Sequence, residues 1–496
     1  QVLGFLGLAG TTALIAACSA AAPNATSTVA PTSSAATATA APSAATTASA
    51  VAGTPATTPS VAAGAPATTP SAAAGQATIA TPTPLPTPVS IAAGAGSKAV
   101  LLWHNYTQGD YNAFAKLIND FVANNPDYKV TADYVPTSTG SQENEKLLTA
   151  IAGGNPPDVA EFDRFIIGSF AFRGALNDLT DLAKTANIAA DNYLTFAWNE
   201  ASLFGKLYAL PIDTDARALF YRKDVFDAAN VKTLPQTPDQ LDAVADQLTQ
   251  KSGNTYSRFG LLPTIDQGSL YTWGWVWGGN FYDPKTGKVT PDDPKIVNAL
   301  TWMVGYAKKY GEENMQSFAS AFGQGAQSPF IAGLVAMDPN GNWQIAQIQQ
   351  YAPNLSYDII PYPHPTGTSA TTWSGGWAWT IPNGSKNVDS GFALASFITN
   401  AEELTQWCKT TGHDPTLVAA LKNPAFSTGR QKVFSDLLPN SHYRPVIPEG
   451  NLLWNQLATA TSDAMYGKAT PLEALRQVAS TVNDQLTKDG WFKHFS

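Results

Sequence analysis

The sequence predicts an α/β protein of two lobes that follows a long unstructured segment. Before Lys98 the chain has no Asp, Glu, Lys or Arg and consists mainly of Ala, Thr, Pro and Ser. From Lys98 onward it has the composition of an ordinary soluble protein, and about 400 residues exceed what one compact core holds. In that part, short apolar runs alternate with stretches of helical periodicity. This alternation is typical of parallel sheets connected by helices.

The segment before Lys98 is interpreted as a targeting signal followed by a tether. Residues 2–17 are apolar but fewer than the roughly 20 that span a bilayer, so they fit the hydrophobic part of a secretory signal. We expect a truncated signal peptide at residues 1–18, in which Ile15-Ala16-Ala17-Cys18 resembles the lipobox of bacterial lipoproteins and implies a lipid on Cys18. An ordinary signal with a chance cysteine is the alternative. Residues 19–97 offer too little large apolar surface to fold, which predicts a disordered linker with a reach of roughly 50 Å.

The predicted elements of the folded part follow one another as strand, helix, strand, helix and strand. The strands are apolar runs, and the helices carry apolar residues at helical spacing between polar caps and Gly or Pro stops. In order they are a strand at residues 99–103, a helix from Asp110 to before Pro126, a strand at 129–135, a helix through Leu147 and Ile151, and a strand at 158–162. Two later helices are predicted from the cap Thr237-Pro238 and from the apolar stripe Leu475, Val478, Val482 and Leu486.

The charge and the cysteine count exclude several classes of function. The net charge is −9 and no run of Lys or Arg is present, whereas nucleic acid and anionic membranes attract clustered basic residues. We therefore predict no nucleic-acid partner. The two cysteines, Cys18 and Cys408, lie in unrelated contexts, so no disulfide framework is expected. The five histidines lack the spacing of metal ligands, and we predict neither a metal site nor a cofactor.

Six segments resemble, in order and in spacing, the family-1 extracellular solute-binding proteins, the group that includes the maltose-binding protein. The resemblance runs from about Val100 to the C-terminus. The matching segments are residues 147–159, 205–211, 219–224, 333–343, 374–377 and 381–387. Within the third segment, Arg222 replaces the usual Asn.

This resemblance implies the type II fold of periplasmic binding proteins: two α/β lobes, each a mostly parallel sheet flanked by helices, with a ligand cleft between them. The implied N-lobe comprises residues 98–213 and 360–402, and the implied C-lobe comprises 214–359 and 403–496. It also implies that two permease subunits of an ABC importer recognise the closed form. We therefore expect a monomeric, non-enzymatic binding protein, held by its lipid at the extracytoplasmic face of the bacterial cell membrane.

Polar candidates for ligand contact lie in loops that follow strands and in the segment expected to join the lobes. Open α/β sheets bind ligands at the carboxyl ends of their strands. Carboxylates two residues apart on an extended chain point the same way, which suits paired hydrogen bonds to vicinal hydroxyls, or equally helix caps and hinge salt bridges. The polar candidates are His104, Tyr106, Asp163, Asp213, Asp215 and Arg444.

The aromatic residues indicate the class of ligand. All 13 tryptophans lie in the folded part, and a pyranose ring can stack its apolar face on an indole, although large aromatics also fill cores. Trp343 and Trp377, with the adjacent Gly376, lie in segments that resemble ligand-facing ones. Trp273 and Trp277 share one face of a predicted helix. We predict a mono- or oligosaccharide ligand stacked on these indoles.

Other functions stay open at this point. A secreted glycoside hydrolase needs two carboxylates about 5–9 Å apart across the sugar, and a sequence does not give that separation. A binder of a glycerol-phosphate diester or a polyamine, and a ligand-sensing module, are further alternatives. No nucleophile elbow, phosphate-binding Gly loop or metalloprotease helix is present. The run from Asp338 to Asn342 begins like a calcium loop, but position six is Trp343 and the bidentate Glu is absent.

Overall fold

The computed structural model describes residues 90–135, 145–253, 255–265, 268–321, 323 and 327–495. In these ranges helices and strands alternate along the chain and build two main sheets, each flanked by helices. The predicted signal peptide, Cys18 and most of the predicted linker lie outside the described residues. Among the helices of these ranges, none has the combination of length and hydrophobicity that a membrane span requires.

Several helices begin at a residue whose side chain caps them, among them α3, α7, α9, α13 and α18, whose ranges follow. In chain order they are α1 (Gln108–Asn124), α2 (Glu145–Ala152), α3 (Arg164–Phe172), α4 (Thr180–Thr185), α5 (Thr195–Glu200), α6 (Lys223–Ala228), α7 (Pro238–Leu248), α8 (Leu270–Val276), α9 (Pro294–Tyr310), α10 (Glu312–Ser320), α11 (Trp343–Tyr351), α12 (Val388–Ile398), α13 (Ala401–Thr411), α14 (Val418–Leu421), α15 (Pro424–Ser427), α16 (Gln431–Leu437), α17 (Gly450–Met465) and α18 (Pro471–Lys488). The predicted start of α7 is confirmed, because the Thr237 side chain accepts a hydrogen bond from the Gln240 N–H. The predicted apolar stripe of α18 is buried.

The strands are mostly short. In chain order they are β1 (Ile91–Ala93), β2 (Lys98–His104), β3 (Tyr128–Tyr134), β4 (Val159–Asp163), β5 (Ser202–Leu203), β6 (Lys206–Leu207), β7 (Ala209–Pro211), β8 (Asp213–Thr214), β9 (Arg217–Arg222), β10 (Gln250–Ser252), β11 (Thr255–Leu261), β12 (Tyr282–Asp283), β13 (Lys288–Val289), β14 (Val335–Gly341), β15 (Tyr357–Ile360), β16 (Thr372–Trp373), β17 (Trp377–Thr380), β18 (Asp414–Pro415) and β19 (Ser441–His442).

The first lobe is built on a six-stranded sheet of order β1-β3-β2-β4-β17-β7. Strands β2, β3 and β4 are parallel neighbours, connected by α1 and α2, which confirms the strand–helix order predicted at this point. Strand β17 enters antiparallel between β4 and β7, and it pairs Trp377 with Asp163. This pairing places Trp377 at the carboxyl end of β4.

A strand lies before the predicted end of the linker at residue 97. Strand β1 pairs antiparallel with β3, Ile91 opposite Ala132. The side chains of Ile91 and Ala93 are buried while Ala92 between them is exposed. Side chains alternate between the two faces of a strand, so every second residue of this short uncharged run packs on the edge of the core. This packing explains why the run joins the sheet.

The second lobe is built on a five-stranded sheet of order β10-β11-β14-β9-β15. Strands β11 and β14 are parallel, and β9 runs antiparallel between β14 and β15. The pairing of Gly341 with Arg217 brings the start of β9 beside the start of α11. Helices α8, α9, α17 and α18 pack against one another.

Short strands mark the segments where the chain passes between the lobes. Strand β8 lies between β7 of the first sheet and β9 of the second, and it pairs with β18. Strand β16, which precedes β17, pairs with β19. The chain therefore changes lobe at residues 212–216, again between β16 and β17, and again at β18.

The second and third changes of lobe lie later than expected. The residues after Ile360 stay with the second lobe, because the Tyr362 ring packs 5.3 Å from that of Trp273 and the His364 N–H donates to the Gln236 carbonyl. Helix α13 packs on α1 of the first lobe, beyond the expected boundary at residue 402. The local sequence of these two segments favours neither lobe. Their tertiary contacts decide to which lobe they belong, so both boundaries differ from the expected ones.

Candidate functional site

An ion pair joins the end of β4 to the segment that follows β19. Asp163 ends β4 and caps α3, where its side chain accepts from the Phe165 N–H at 3.0 Å. Arg444 donates from both terminal nitrogens to the two Asp163 oxygens, at 2.7 and 3.3 Å. Such a bidentate pair fixes orientation as well as distance. The two residues lie 281 positions apart, so no local signal in the sequence predicts their contact.

The contacts continue from this ion pair into the second lobe. The guanidinium of Arg444 lies 5.4 Å from the Trp373 ring centroid, and that of Arg217 lies 3.4 Å from the same ring. Arg217 also lies 5.2 Å from the Trp343 ring. Asp215 accepts from the Gly375 N–H at 2.8 Å and pairs with Arg217. Strand β17 places Trp377 opposite Asp163. We call the set Asp163, Asp215, Arg217, Trp343, Trp373, Trp377 and Arg444 the interlobe cluster.

Part of the interlobe cluster remains accessible to a ligand. The side chain of Asp163 is 28% exposed and that of Asp215 is 16% exposed. Trp343 is half-buried, as is Trp377 beside Asp163. By contrast, Arg444 and Trp373 are buried and form the base on which the others rest. A partly exposed carboxylate can accept hydroxyl protons, and a partly exposed indole can stack against an apolar ring face.

Trp454 belongs to the same region and was not identified from the sequence. It is half-buried on α17, with its ring 5.8 Å from the Arg444 guanidinium and 5.9 Å from the Phe165 ring. The sequence does offer a signal, because Trp454 follows the Arg444-Pro445 loop within the first turns of a helix. A tryptophan in that position could have been considered together with Arg444.

His104 and Tyr106, expected in the cleft, are core residues. His104 shares the inward side of β2 with Val100 and Leu102, because side chains alternate along a strand. Its ring lies 4.6 Å from Phe114, and burial lowers the pKa of His104 to about 4. Tyr106 is 5% exposed and packs 4.7 Å from the Trp407 ring. In this structure neither side chain is open to a ligand.

Asp213, expected as a ligand contact, is buried in the crossing segment and hydrogen-bonded there. It is fully buried. Its carboxylate accepts from the Trp377 N–H at 3.2 Å, from Trp407 Nε1 at 3.0 Å, and contacts His413 Nδ1 at 2.8 Å. The contact between Asp213 and His413 corresponds to a hinge salt bridge, which the sequence analysis named as an alternative role for this carboxylate. Only Asp215 of the two neighbouring carboxylates reaches the surface.

Trp273 of α8 and Trp277, which directly follows α8, are also not brought to the interlobe cluster. Trp273 is completely buried, donates from Nε1 to the Pro263 carbonyl at 2.8 Å, and packs 4.6 Å from the Trp302 ring. Trp277 is half-buried and lies 4.9 Å from the same ring. The shared face predicted for the pair is therefore turned toward α9. Trp273 fills the core of the second lobe.

Gly376 is needed because two crossing segments meet at its α carbon. Its φ is +130°, and a Cβ there would lie 2.3 Å from the Asp213 carbonyl oxygen and 2.5 Å from Arg164 Nη1. Arg164, another residue that the sequence did not indicate, is fully buried and pairs with Glu200 at 3.1 Å. It also donates to the backbone carbonyls of Asp213 and Gly375. Arg164 thus holds the two crossing segments together.

Comparison with known proteins shows which family has this architecture. The sequence model of the family described as bacterial extracellular solute-binding protein matches residues 105–404. A putative binding protein of Brucella abortus is 26% identical and covers 77% of this chain and 93% of its own length. A maltooligosaccharide ABC transporter solute-binding lipoprotein of Streptococcus pneumoniae is 24% identical, covering 69% of this chain and 79% of its own length.

A solved structure supports the same assignment. CpMnBP1 with mannotriose bound superposes with a TM-score of 0.70 at 27% identity, covering 77% of this chain and 99% of that one. The resemblance found in the sequence and the predicted two-lobe fold are confirmed by these matches. The chain belongs to the family of bacterial extracellular solute-binding proteins.

Proposed function

We propose that this protein captures a neutral oligosaccharide between its two lobes, at the interlobe cluster, and delivers it to the permease of an ABC importer. The Streptococcus pneumoniae relative is named for maltooligosaccharides and CpMnBP1 holds mannotriose. The observation that carries the proposal is the placement of half-buried tryptophans beside two partly exposed carboxylates where the lobes meet.

The chemistry of the interlobe cluster fits a polyhydroxylated ring. Trp343, Trp377 and the neighbouring Trp454 are each partly exposed, and an indole can stack on the apolar face of a pyranose. Asp163 and Asp215 each leave a carboxylate edge exposed, and a hydrogen bond to a charged group contributes about 1.5–3 kcal/mol. Both carboxylates are already paired with an arginine. A cationic ligand would compete with that arginine, which disfavours polyamines.

The lobes can close on the ligand because few segments connect them. The crossing segments are held by Arg164 and Asp213 on the buried side. On the accessible side, Asp163 belongs to the first lobe and Trp343 to the second, and Arg444, Trp373 and Arg217 lie between them. A ligand that contacts both Asp163 and Trp343 would stabilise the closed arrangement by its extra contacts.

The N-terminal segment would keep the protein near its permease. We propose that Cys18 carries a lipid and that the linker after it tethers the lobes to the extracytoplasmic face of the membrane. The lipoprotein name of the Streptococcus pneumoniae relative supports this reading. The protein would act as a monomer and release its ligand unchanged, as a binding protein does.

Titration of the full chain with mannotriose, maltotriose, spermidine and glycerophosphocholine tests the proposal. We expect calorimetry to show saturable binding of a neutral trisaccharide, and the melting temperature to rise as its concentration exceeds Kd, with about 2.7 kcal/mol of stabilisation at 100 times Kd. Chromatography of the recovered sugar should show no change. Binding of spermidine or the phosphodiester alone, or the appearance of shorter sugars, would refute the proposal.

A further inference from the structure

A cavity of about 970 Å³ lies between the lobes, apart from the interlobe cluster. Its first-lobe wall is formed by α4, α5 and the hairpin of β5 and β6. Its second-lobe wall is formed by the residues after α8, the segment around β19, and the C-terminal residues Trp491 and Phe495. Ligand sites typically measure roughly 300–1,000 Å³. None of the residues predicted from the sequence as ligand contacts lines this cavity in the described part of the chain.

The lining of the cavity suits a neutral ring-bearing molecule. Aromatic rings come from both lobes, with Trp198 in the first and Trp275, Tyr282 and Tyr443 in the second, and amides come from Asn199 and Asn280. Among the described residues that line it, none carries a carboxylate and Lys184 is the one with a permanent charge. Burial lowers the pKa of His442, which keeps that imidazole neutral at pH 7. Rings with amides but without opposed charges recognise hydroxyl groups and apolar ring faces.

Phe204 gives an independent indication that this cavity has a function. Leu203 pairs with Lys206, which leaves a two-residue turn of Phe204 and Gly205 with φ of +50° and +77°. A turn with both φ values positive favours Asn-Gly or Asp-Gly, and phenylalanine is strained there. The ring is nevertheless 47% exposed. The sequence thus keeps an exposed aromatic ring in an unfavourable backbone conformation at the rim of the cavity.

The Phe204 ring reaches across to the second lobe. It stacks on His494, with ring centroids 4.1 Å apart and planes at 20°, and lies 5.2 Å from the Trp491 ring. Trp491 is fixed to the second lobe by a hydrogen bond from Nε1 to the Gly287 carbonyl at 2.9 Å. The width of the cavity therefore depends on how the two lobes are arranged.

The cavity and the interlobe cluster are separate but share neighbouring residues. Pro445, in the cavity lining, directly follows Arg444. Asn199 lines the cavity, while the next residue, Glu200, forms the buried pair with Arg164 that holds the crossing segments. Residues next to one another in the chain thus line the cavity on one hand and belong to the interlobe cluster or hold its crossing segments on the other.

We propose that this cavity is a second binding site, which takes a neutral carbohydrate of one or two sugar units. The proposal rests on the lining of the cavity and on Phe204, and it does not depend on the identity of the ligand at the interlobe cluster. It adds a site to which neither the family match nor the interlobe cluster assigns a role.

Native mass spectrometry and calorimetry of the full chain with maltose test the second site. Three variants are compared with the unaltered chain: Phe204→Asn and Trp198→Ala at the cavity, and Trp343→Ala at the interlobe cluster. Phe204→Asn removes the ring but supplies a residue that the turn prefers, so its melting temperature should not fall. We expect a maltose-binding event that both cavity variants weaken at least tenfold and that Trp343→Ala leaves in place.

The two proposals fail in different ways in this experiment. If no maltose-binding event responds to Phe204→Asn or Trp198→Ala, the second site is refuted, whatever happens at the interlobe cluster. If the only responsive event is the one lost in the cavity variants, and no trisaccharide binding responds to Trp343→Ala, the proposed function at the interlobe cluster is refuted instead.

Discussion

Arg217 lies against the ring of Trp373, with its guanidinium carbon 3.4 Å from the ring centroid. The same guanidinium pairs with Asp215 and lies 5.2 Å from the Trp343 ring. A buried cation beside two indoles is stabilised by their negative ring faces. Arg217 therefore positions Asp215 and Trp343 relative to each other, and its planar shape matters as much as its charge.

Replacement of Arg217 by lysine should separate shape from charge. We expect Arg217→Lys to lower the free energy of unfolding by about 1–2 kcal/mol, because an ammonium group neither stacks on Trp373 nor donates in a planar fork. Urea denaturation measures the change. Arg476→Lys is the matched control, since Arg476 is exposed on α18 and should lose nothing measurable. Equal stability of the two variants would contradict the positioning role.

Loss of an indole from the interlobe cluster should weaken sugar binding. We expect Trp343→Ala and Trp377→Ala each to raise the Kd for the bound trisaccharide at least tenfold, about 1.4 kcal/mol, measured by calorimetry. Trp277→Ala serves as the control, because Trp277 packs on Trp302 of α9 and its loss should leave the Kd unchanged. The stacking model is wrong if both cluster variants bind like the unaltered chain.

The pair of His413 and Asp213 should make stability fall at alkaline pH. Burial lowers the pKa of His413, but the charge and the hydrogen bond of Asp213 outweigh it and raise that pKa to about 9. The folded state therefore binds a proton that the unfolded chain releases near pH 6.5. The stabilisation is fully present below about pH 6.5 and is lost as the pH rises through about 9.

A variant without the imidazole checks this dependence. In chemical denaturation between pH 6 and pH 10, the unaltered chain should lose up to about 3 kcal/mol. His413→Gln should be less stable at pH 6 and should change less over the same range. An identical alkaline slope in both proteins would show that another group is responsible.

Lipid attachment should depend on one of the two cysteines. We expect Cys18→Ser, in a bacterial host that processes lipoproteins, to abolish labelling by radioactive palmitate and to release the protein from the membrane fraction. Cys408→Ser is the control, because Cys408 is a buried free thiol that cannot reach a lipid. Full palmitate labelling of the Cys18→Ser variant would rule out the proposed anchor.

Gly376 should tolerate no side chain. We expect Gly376→Ala to destabilise the protein by at least about 2 kcal/mol, since its Cβ would overlap the Asp213 carbonyl oxygen, 2.3 Å away. Gly305→Ala is the opposite case: Gly305 is inside α9 with open space at its Cβ position, and alanine should add up to about 1 kcal/mol. Urea denaturation of both variants compares the two directions.

Local patterns in the sequence predicted the first lobe well. The order of β2, α1, β3, α2 and β4 follows from alternating apolar runs and caps, and the family resemblance supplied the two-lobe fold. The boundaries between lobes were less accurate, because residues such as Tyr362 and His364 are assigned by contacts with distant residues. Strand β1 was missed because its three residues carry no distinguishing pattern.

The site was harder to predict than the fold. His104 was misplaced although the alternation of β2 already put it on the side of Val100 and Leu102. Trp273 was misplaced because helical spacing shows that Trp273 and Trp277 share a face of the helix but does not show which element that face packs against. The contact of Arg444 with Asp163 joins residues 281 positions apart, and only the folded chain brings such residues together.

The residues at the base of the cleft also hold the crossing segments, through Arg217 and Trp373 on one side and Arg164 and Gly376 on the other. A mutation there would disturb the hinge and the pocket floor at once. We therefore expect variants of this protein that bind a different sugar to carry substitutions at Trp343, Trp377 or Trp454. A change of side chain at these positions leaves the hinge intact.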